Sequence, residues 1–193
     1  TWSTPLPAAG PRLSAFPGPA VFCSVPRAMA FQYQPGIFKT TKFLPEHEAT
    51  VAPNLLILIR TDGDFAPASV LLPVHNVHNQ WRFQMPGVKV PKVDYGWGAS
   101  LIKLPHEGFY RLTREFRFGE RGFWLPNAIV QLGYTRAAEP ILFIAQRRSP
   151  LVANDLFFSD KGVKVQLSDI TGPNPLIEPL AWFQEQEAPK RAT

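Results

Sequence analysis

Apolar residues along this chain come in short bursts, and each burst ends at a turn signal. Leu55-Leu56-Ile57-Leu58-Ile59 is an unbroken apolar run of strand length. It predicts a strand buried on both faces. The Asp62-Gly63 pair that follows predicts a hairpin, with Ala68 to Leu72 as the return strand. Trp81-Arg82-Phe83-Gln84 alternates with the period of a strand, and Ala99 to Leu104 is a further strand. Phe109 to Phe118 reads as one long strand. Tyr110, Leu112, Phe116 and Phe118 share a face that Arg114 interrupts, and Arg111, Thr113, Glu115 and Arg117 lie opposite. Ile129 to Tyr134 and Ile141 to Gln146 form a predicted hairpin. Leu156 to Phe158 and Val163 to Leu167 form another around Ser159 to Gly162. Pro179 is placed to open one short C-terminal helix that packs Leu180, Trp182 and Phe183.

Five of the bursts end in the same way, at Leu44-Pro45, Leu72-Pro73, Met85-Pro86, Leu104-Pro105 and Leu125-Pro126. Proline has no N–H and a fixed φ, so it interrupts helices and is kept out of central strands. The intervals between these prolines are 28, 13, 19 and 21 residues, too irregular for a repeat architecture. The predicted fold is therefore all-β: a single antiparallel sandwich or partly open barrel of about eight strands.

Residues 1–28 have a different texture. They hold six prolines, Arg12 and Arg27, and no acidic residue, with neither a helical nor a strand period. This predicts a Pro-rich extended arm ahead of an all-β domain at 29–187, with 188–193 as a frayed tail. A docking arm anchored by Phe16 and Phe22, a transit peptide, and vector-derived or upstream-translated sequence before Met29 all fit that composition.

Composition narrows the function less than the fold. A chain of 193 residues with 45% hydrophobic content and 15 Phe can bury a core without staples. Cys23 is the single cysteine, which excludes an intrachain disulfide and a cysteine-based zinc site. The longest apolar run is strand-sized, so a soluble, cytoplasmic protein without membrane contact is expected. Of the net charge of +5, residues 1–28 carry +2 and the remainder +3 (18 basic against 15 acidic residues), a weak electrostatic signal.

Three readings of the chemistry follow. The first is a non-catalytic assembly or protein-interaction module, with a protein partner or a second copy. It would use Tyr95 and Trp97 in the long loop from Met85 to Gly98, together with Phe16 and Phe22. The alternative is a β-barrel that binds RNA or single-stranded DNA through an Arg-rich strand face: Arg111, Arg114, Arg117, Arg121, Arg147 and Arg148. The third is a metal-dependent hydrolase. His75 and His78 in the run His75-Asn76-Val77-His78-Asn79 would supply ligands, joined by His47 and the nearby Asp62 and Asp64. The same run fits an ordinary polar turn. Glu107, beside His106, is a further acid–base candidate, but it sits at a turn where charge is normal. No GxSxG, P-loop or GxGxxG motif is present, and no cofactor is expected.

Overall fold

The computed structural model describes residues 31–61, 68–91, 95–120, 122–147 and 156–180. The predicted arm at 1–28, with Phe16, Phe22 and Cys23, lies outside the described residues, as do Asp62, Asp64, Arg121, Arg148 and 181–193, which hold most of the expected C-terminal helix and the expected frayed tail.

The protein is all-β, with antiparallel sheets and, among the described residues, one short α-helix. Sheet I has five strands in the order β6-β3-β2-β1-β7: β1 (Gly36–Lys39), β2 (Leu56–Arg60), β3 (Ser69–Leu71), β6 (Val88–Lys89) and β7 (Ile102–Lys103). Sheet II is built on β8 (Gly108–Leu112), β11 (Ile129–Tyr134), β12 (Pro140–Arg147) and β15 (Ile177–Pro179). On the far edge of β12 lie β13 (Leu156–Phe158) and β14 (Val163–Lys164). Two hairpins stand outside both sheets: β4 (Pro73–Val77) with β5 (Gln80–Phe83), and β9 (Phe116–Phe118) with β10 (Gly122–Trp124). The helix α1 spans Leu167–Thr171. The described strands close no barrel.

Period-two alternation explains the layers. Ile37 and Leu56 of sheet I share one core with Tyr110, Leu112, Val130, Leu132, Tyr134 and Leu142 of sheet II. Their neighbours Phe38, Ile57 and Ile59 point the other way. They pack against Leu44, Val51, Val90 and Trp97 from the surrounding loops. Sheet I is thus covered on both sides, as the continuous run at 55–59 requires. Thr40, fully buried at the end of β1, pins one of those loops. Its hydroxyl donates to the Ala52 carbonyl at 2.7 Å and accepts from the Leu55 N–H at 2.9 Å.

Five expectations need correction. Phe109 to Phe118 is two strands in different sheets. The chain bends at Thr113, whose N–H and hydroxyl both donate to the 175–176 segment, to the Leu176 and Pro175 carbonyls. The segments around Leu156 and Val163 do not pair with each other. Both pair with β12, in tandem along one edge: Arg147 opposite Leu156, and Leu142 opposite Val163. Leu167 starts α1 rather than ending a strand, because the Asp169 carboxylate accepts the Gln166 N–H at 3.1 Å and opens a helical turn. Pro179 belongs to β15, and Ala99 to Leu104 is a 3-10 turn followed by the two-residue β7.

All five prolines of the recurring beat fall between strands or at the first residue of one. At Leu44 and Leu104 the preceding residue is buried, whereas Met85 and Leu125 are exposed.

Candidate functional site

Strands β3 and β6 pair at the edge of sheet I, and β4 and β5 continue the same two chains outward. The Gln84 N–H bonds the Leu72 carbonyl at 2.9 Å where the two halves meet. The result is one long, bent ribbon. Its tip is a two-residue turn, with His78 at φ 50° and Asn79 at φ 63° and Val77 opposite Gln80. Positive φ at both positions is the primed hairpin geometry that Asn favours, so the His-Asn run serves as a turn.

The tip docks on β11 of sheet II. Gln131 has its amide satisfied on both sides: Asn79 Nδ2 donates to Oε1 at 3.0 Å, and Nε2 donates to the His78 carbonyl at 2.7 Å. Gly133 allows the Asn79 backbone to come close, since a Cβ there would lie 2.7 Å from the Asn79 carbonyl oxygen. Next along the ribbon, the Trp81 indole Nε1 donates to the Tyr134 carbonyl at 2.7 Å. Trp81 and Phe83 then close over the shared core.

Glu107, in the turn between β7 and β8, holds the same ribbon. Its Oε2 accepts the Trp81 backbone N–H at 2.8 Å, while Oε1 is buried without a hydrogen-bond partner among the described residues. Burial pushes this carboxyl up from 4.5 to about 7, and the Trp81 and Tyr134 backbone amides offset only part of that effect. Tyr110 and Tyr134 stand beside it. Their hydroxyls donate to the His106 carbonyl at 2.7 Å and the Pro105 carbonyl at 2.9 Å. Burial raises Tyr110 to about 12, and burial followed by the neighbouring Tyr110 and Glu107 raises Tyr134 further. A carboxyl titrating near neutrality is competent for proton transfer. Here it faces a packed ribbon, not a cleft. A cleft of about 260 Å³ opens elsewhere, between the 31–34 segment, Phe38, Ile59 and Leu101, and among the described residues no carboxylate, histidine or lysine lines it.

The histidines do not assemble. His75 and His78 are exposed on the ribbon, and the backbone of His47 closes the Leu44–Val51 turn. Among the described residues, no three His, Cys, Asp or Glu side chains form a group able to hold a metal. Three arginines of the expected basic face stand beside acids in solvent-exposed ion pairs: Arg111 with Glu178 at 2.5 Å, Arg114 with Asp169 at 4.0 Å and Arg117 with Glu115 at 2.6 Å. Arg147 is exposed at the end of β12. Of the loop aromatics, Tyr95 is 73% exposed, whereas Trp97 is 1% exposed and donates to the Lys42 carbonyl at 3.2 Å. Trp97 is a core residue, so Tyr95 alone of that pair faces solvent.

A surface that the sequence reading passed over lies on the β9–β10 hairpin. One face carries Phe116, Phe118 and Trp124, with ring centroids 4.8–5.9 Å apart, and Phe116 and Trp124 reach the shared core. On the outer face Phe123 is 57% exposed and sits opposite Arg117, and Leu125, two residues on, is 60% exposed. The signal for it was present in Phe123-Trp124-Leu125. Apolarity at three successive positions on a strand puts at least one large side chain on each face.

No family model matches this chain, and no curated protein or solved structure matches it. Among the described residues, no helix is long and apolar enough to cross a membrane.

Proposed function

We propose that this protein is a non-catalytic assembly module that self-associates through the outer face of the β9–β10 hairpin. The observation that carries this reading is the exposure of Phe123 and Leu125 on a two-stranded sheet whose opposite face is already filled. A pair of large apolar side chains presented side by side is the usual centre of a protein contact, with charged groups at its rim.

The charge pattern favours a second copy as the occupant. The same hairpin presents Arg117 beside Glu115, so a two-fold arrangement can set each arginine against the other copy's glutamate while the apolar residues meet at the axis. Sedimentation velocity of the full chain over a concentration series tests it. Self-association that disappears in a Phe123→Glu, Leu125→Glu variant with unchanged far-UV circular dichroism supports the reading. A wild-type chain that stays monomeric at every concentration, or a variant that associates as well as wild type, rejects it.

A further inference from the structure

We infer that the ribbon from β3 to β6 is a proton-gated strap, whose tip is held on β11 while Glu107 is protonated and swings away when Glu107 ionises. The inference starts from topology. The base of the ribbon belongs to sheet I through the pairing of β3 with β2 and of β3 with β6. Among the described residues, its tip meets sheet II through side-chain and turn contacts, with no ladder pairing to β11. A segment paired into a sheet at one end, and held at the other by three side-chain hydrogen bonds and the packing of Trp81 and Phe83, can open as a unit. The strands break at Leu72 and at 84–87, where they leave sheet I, and the β4–β5 register shifts between Pro73 and His75.

Glu107 is the element that couples this opening to protons. In the closed strap one carboxyl oxygen takes the Trp81 N–H, and the other is buried with no hydrogen bond of good geometry among the described residues, so the nearby Tyr134 amide offsets only part of its burial. An ionised carboxylate in that position is short of hydrogen bonds, and opening returns it to water. The titratable groups beside it are the phenols of Tyr110 and Tyr134, both neutral at physiological pH. Among the described residues, no cation compensates the charge. On the ribbon, His75, His78 and Arg82 are exposed, and so is His106 in the loop that carries Glu107.

The direction follows from linkage. Open, Glu107 has its ordinary value near 4.5; closed, it lies near 7. Below the lower value both states hold the proton and pH has no effect. Between the two, only the closed state holds it, so raising the pH favours opening. Above the upper value both have lost it and the shift saturates. The difference sets a ceiling of about two orders of magnitude on the change in the open-to-closed ratio. Opening uncovers Trp81, Phe83 and the Gln131–Gly133 stretch of β11.

Amide hydrogen exchange of the full chain tests the strap, with rates corrected for intrinsic pH dependence. Between pH 5 and 8, protection at Gln80–Phe83 falls at least tenfold, while β11 and β12 keep theirs. In Glu107→Gln, which cannot ionise, protection is flat across the range. A parallel variant, His75→Ala with His78→Ala, keeps the wild-type fall, which separates Glu107 from the histidines. Equal pH dependence in wild type and Glu107→Gln overturns the inference, as does loss of the fall in the histidine variant. Should Glu107→Gln fail to fold, the side-chain carboxyl carbon resonance of Glu107 in the wild type decides: a midpoint near 7 supports the strap, and one near 4.5 rejects it.

Discussion

Trp81 and Tyr134, 53 positions apart, are joined by an indole-to-carbonyl hydrogen bond of 2.7 Å. The bond links a hairpin rooted in one sheet to the central strand of the other. It also places the Trp81 backbone N–H where Glu107 can accept it.

Replacing Trp81 with Phe keeps most of the apolar contact and removes the indole donor. The Tyr134 carbonyl is then left without its partner, at a cost of about 1–3 kcal/mol. Urea denaturation measures this as a lower midpoint at unchanged m-value. Trp81→Ala adds a cavity over the shared core and costs more than Trp81→Phe.

Gly133→Ala places a methyl group 2.7 Å from the Asn79 carbonyl oxygen. That atom belongs to the backbone, so the tip must shift as a whole. A loss of about 1–3 kcal/mol is expected. The sharper readout is local: the Asn79 side-chain amide loses its protection because its bond to Gln131 is broken, while β12 is unaffected.

Thr40→Val is nearly isosteric but removes a hydroxyl that both donates and accepts in a fully buried site. The Leu55 N–H loses its acceptor and the Ala52 carbonyl its donor. About 1–3 kcal/mol of stability is lost. Thr40→Ser, which keeps the oxygen, loses less, and thermal unfolding of the two variants side by side shows the order.

Global stability carries the same sign of pH dependence as the strap. The Glu107 carboxyl is raised in the folded state, so the folded chain binds its proton more tightly than the unfolded chain does. Its contribution is fully present below about pH 4.5 and is lost as pH rises towards 7. Chemical denaturation at pH 5 and pH 8 therefore shows wild type losing stability relative to Glu107→Gln. A constant difference between the two proteins contradicts this.

The parts of the fold legible in the sequence are those where one local rule had no competitor. Leu55 to Ile59 is too apolar for anything but a doubly covered strand, and β2 lies between two cores. Ile129 to Tyr134 and Ile141 to Gln146 pair as their spacing implies. Where local pattern failed, a distant contact had overridden it. The Phe109–Phe118 alternation breaks at Thr113 because that residue's bonds go to the 175–176 segment, 62 positions away for the hydroxyl bond. Val163 looked like the partner of Leu156, but the free edge of β12 is long enough to take both segments in line.

For the candidate sites the division is the same. Side-chain chemistry could be read from the chain, and exposure could not. Trp97 and Tyr95 looked alike as loop aromatics, yet one fills the core beneath Lys42 and the other faces water. Glu107 looked like an ordinary turn residue, and the Trp81 strand passing over it turns it into a buried carboxyl.

By itself the sequence determined the all-β class, the main strands and the places where they stop, because apolar periodicity and proline's missing N–H act within a few residues. Tertiary structure alone decided which strands became neighbours, which arginines stand beside acids, and that a polar His-Asn turn would reach across to β11. Those outcomes depend on the pairing of surfaces far apart in the chain, and no local pattern encodes the partner that desolvates a residue.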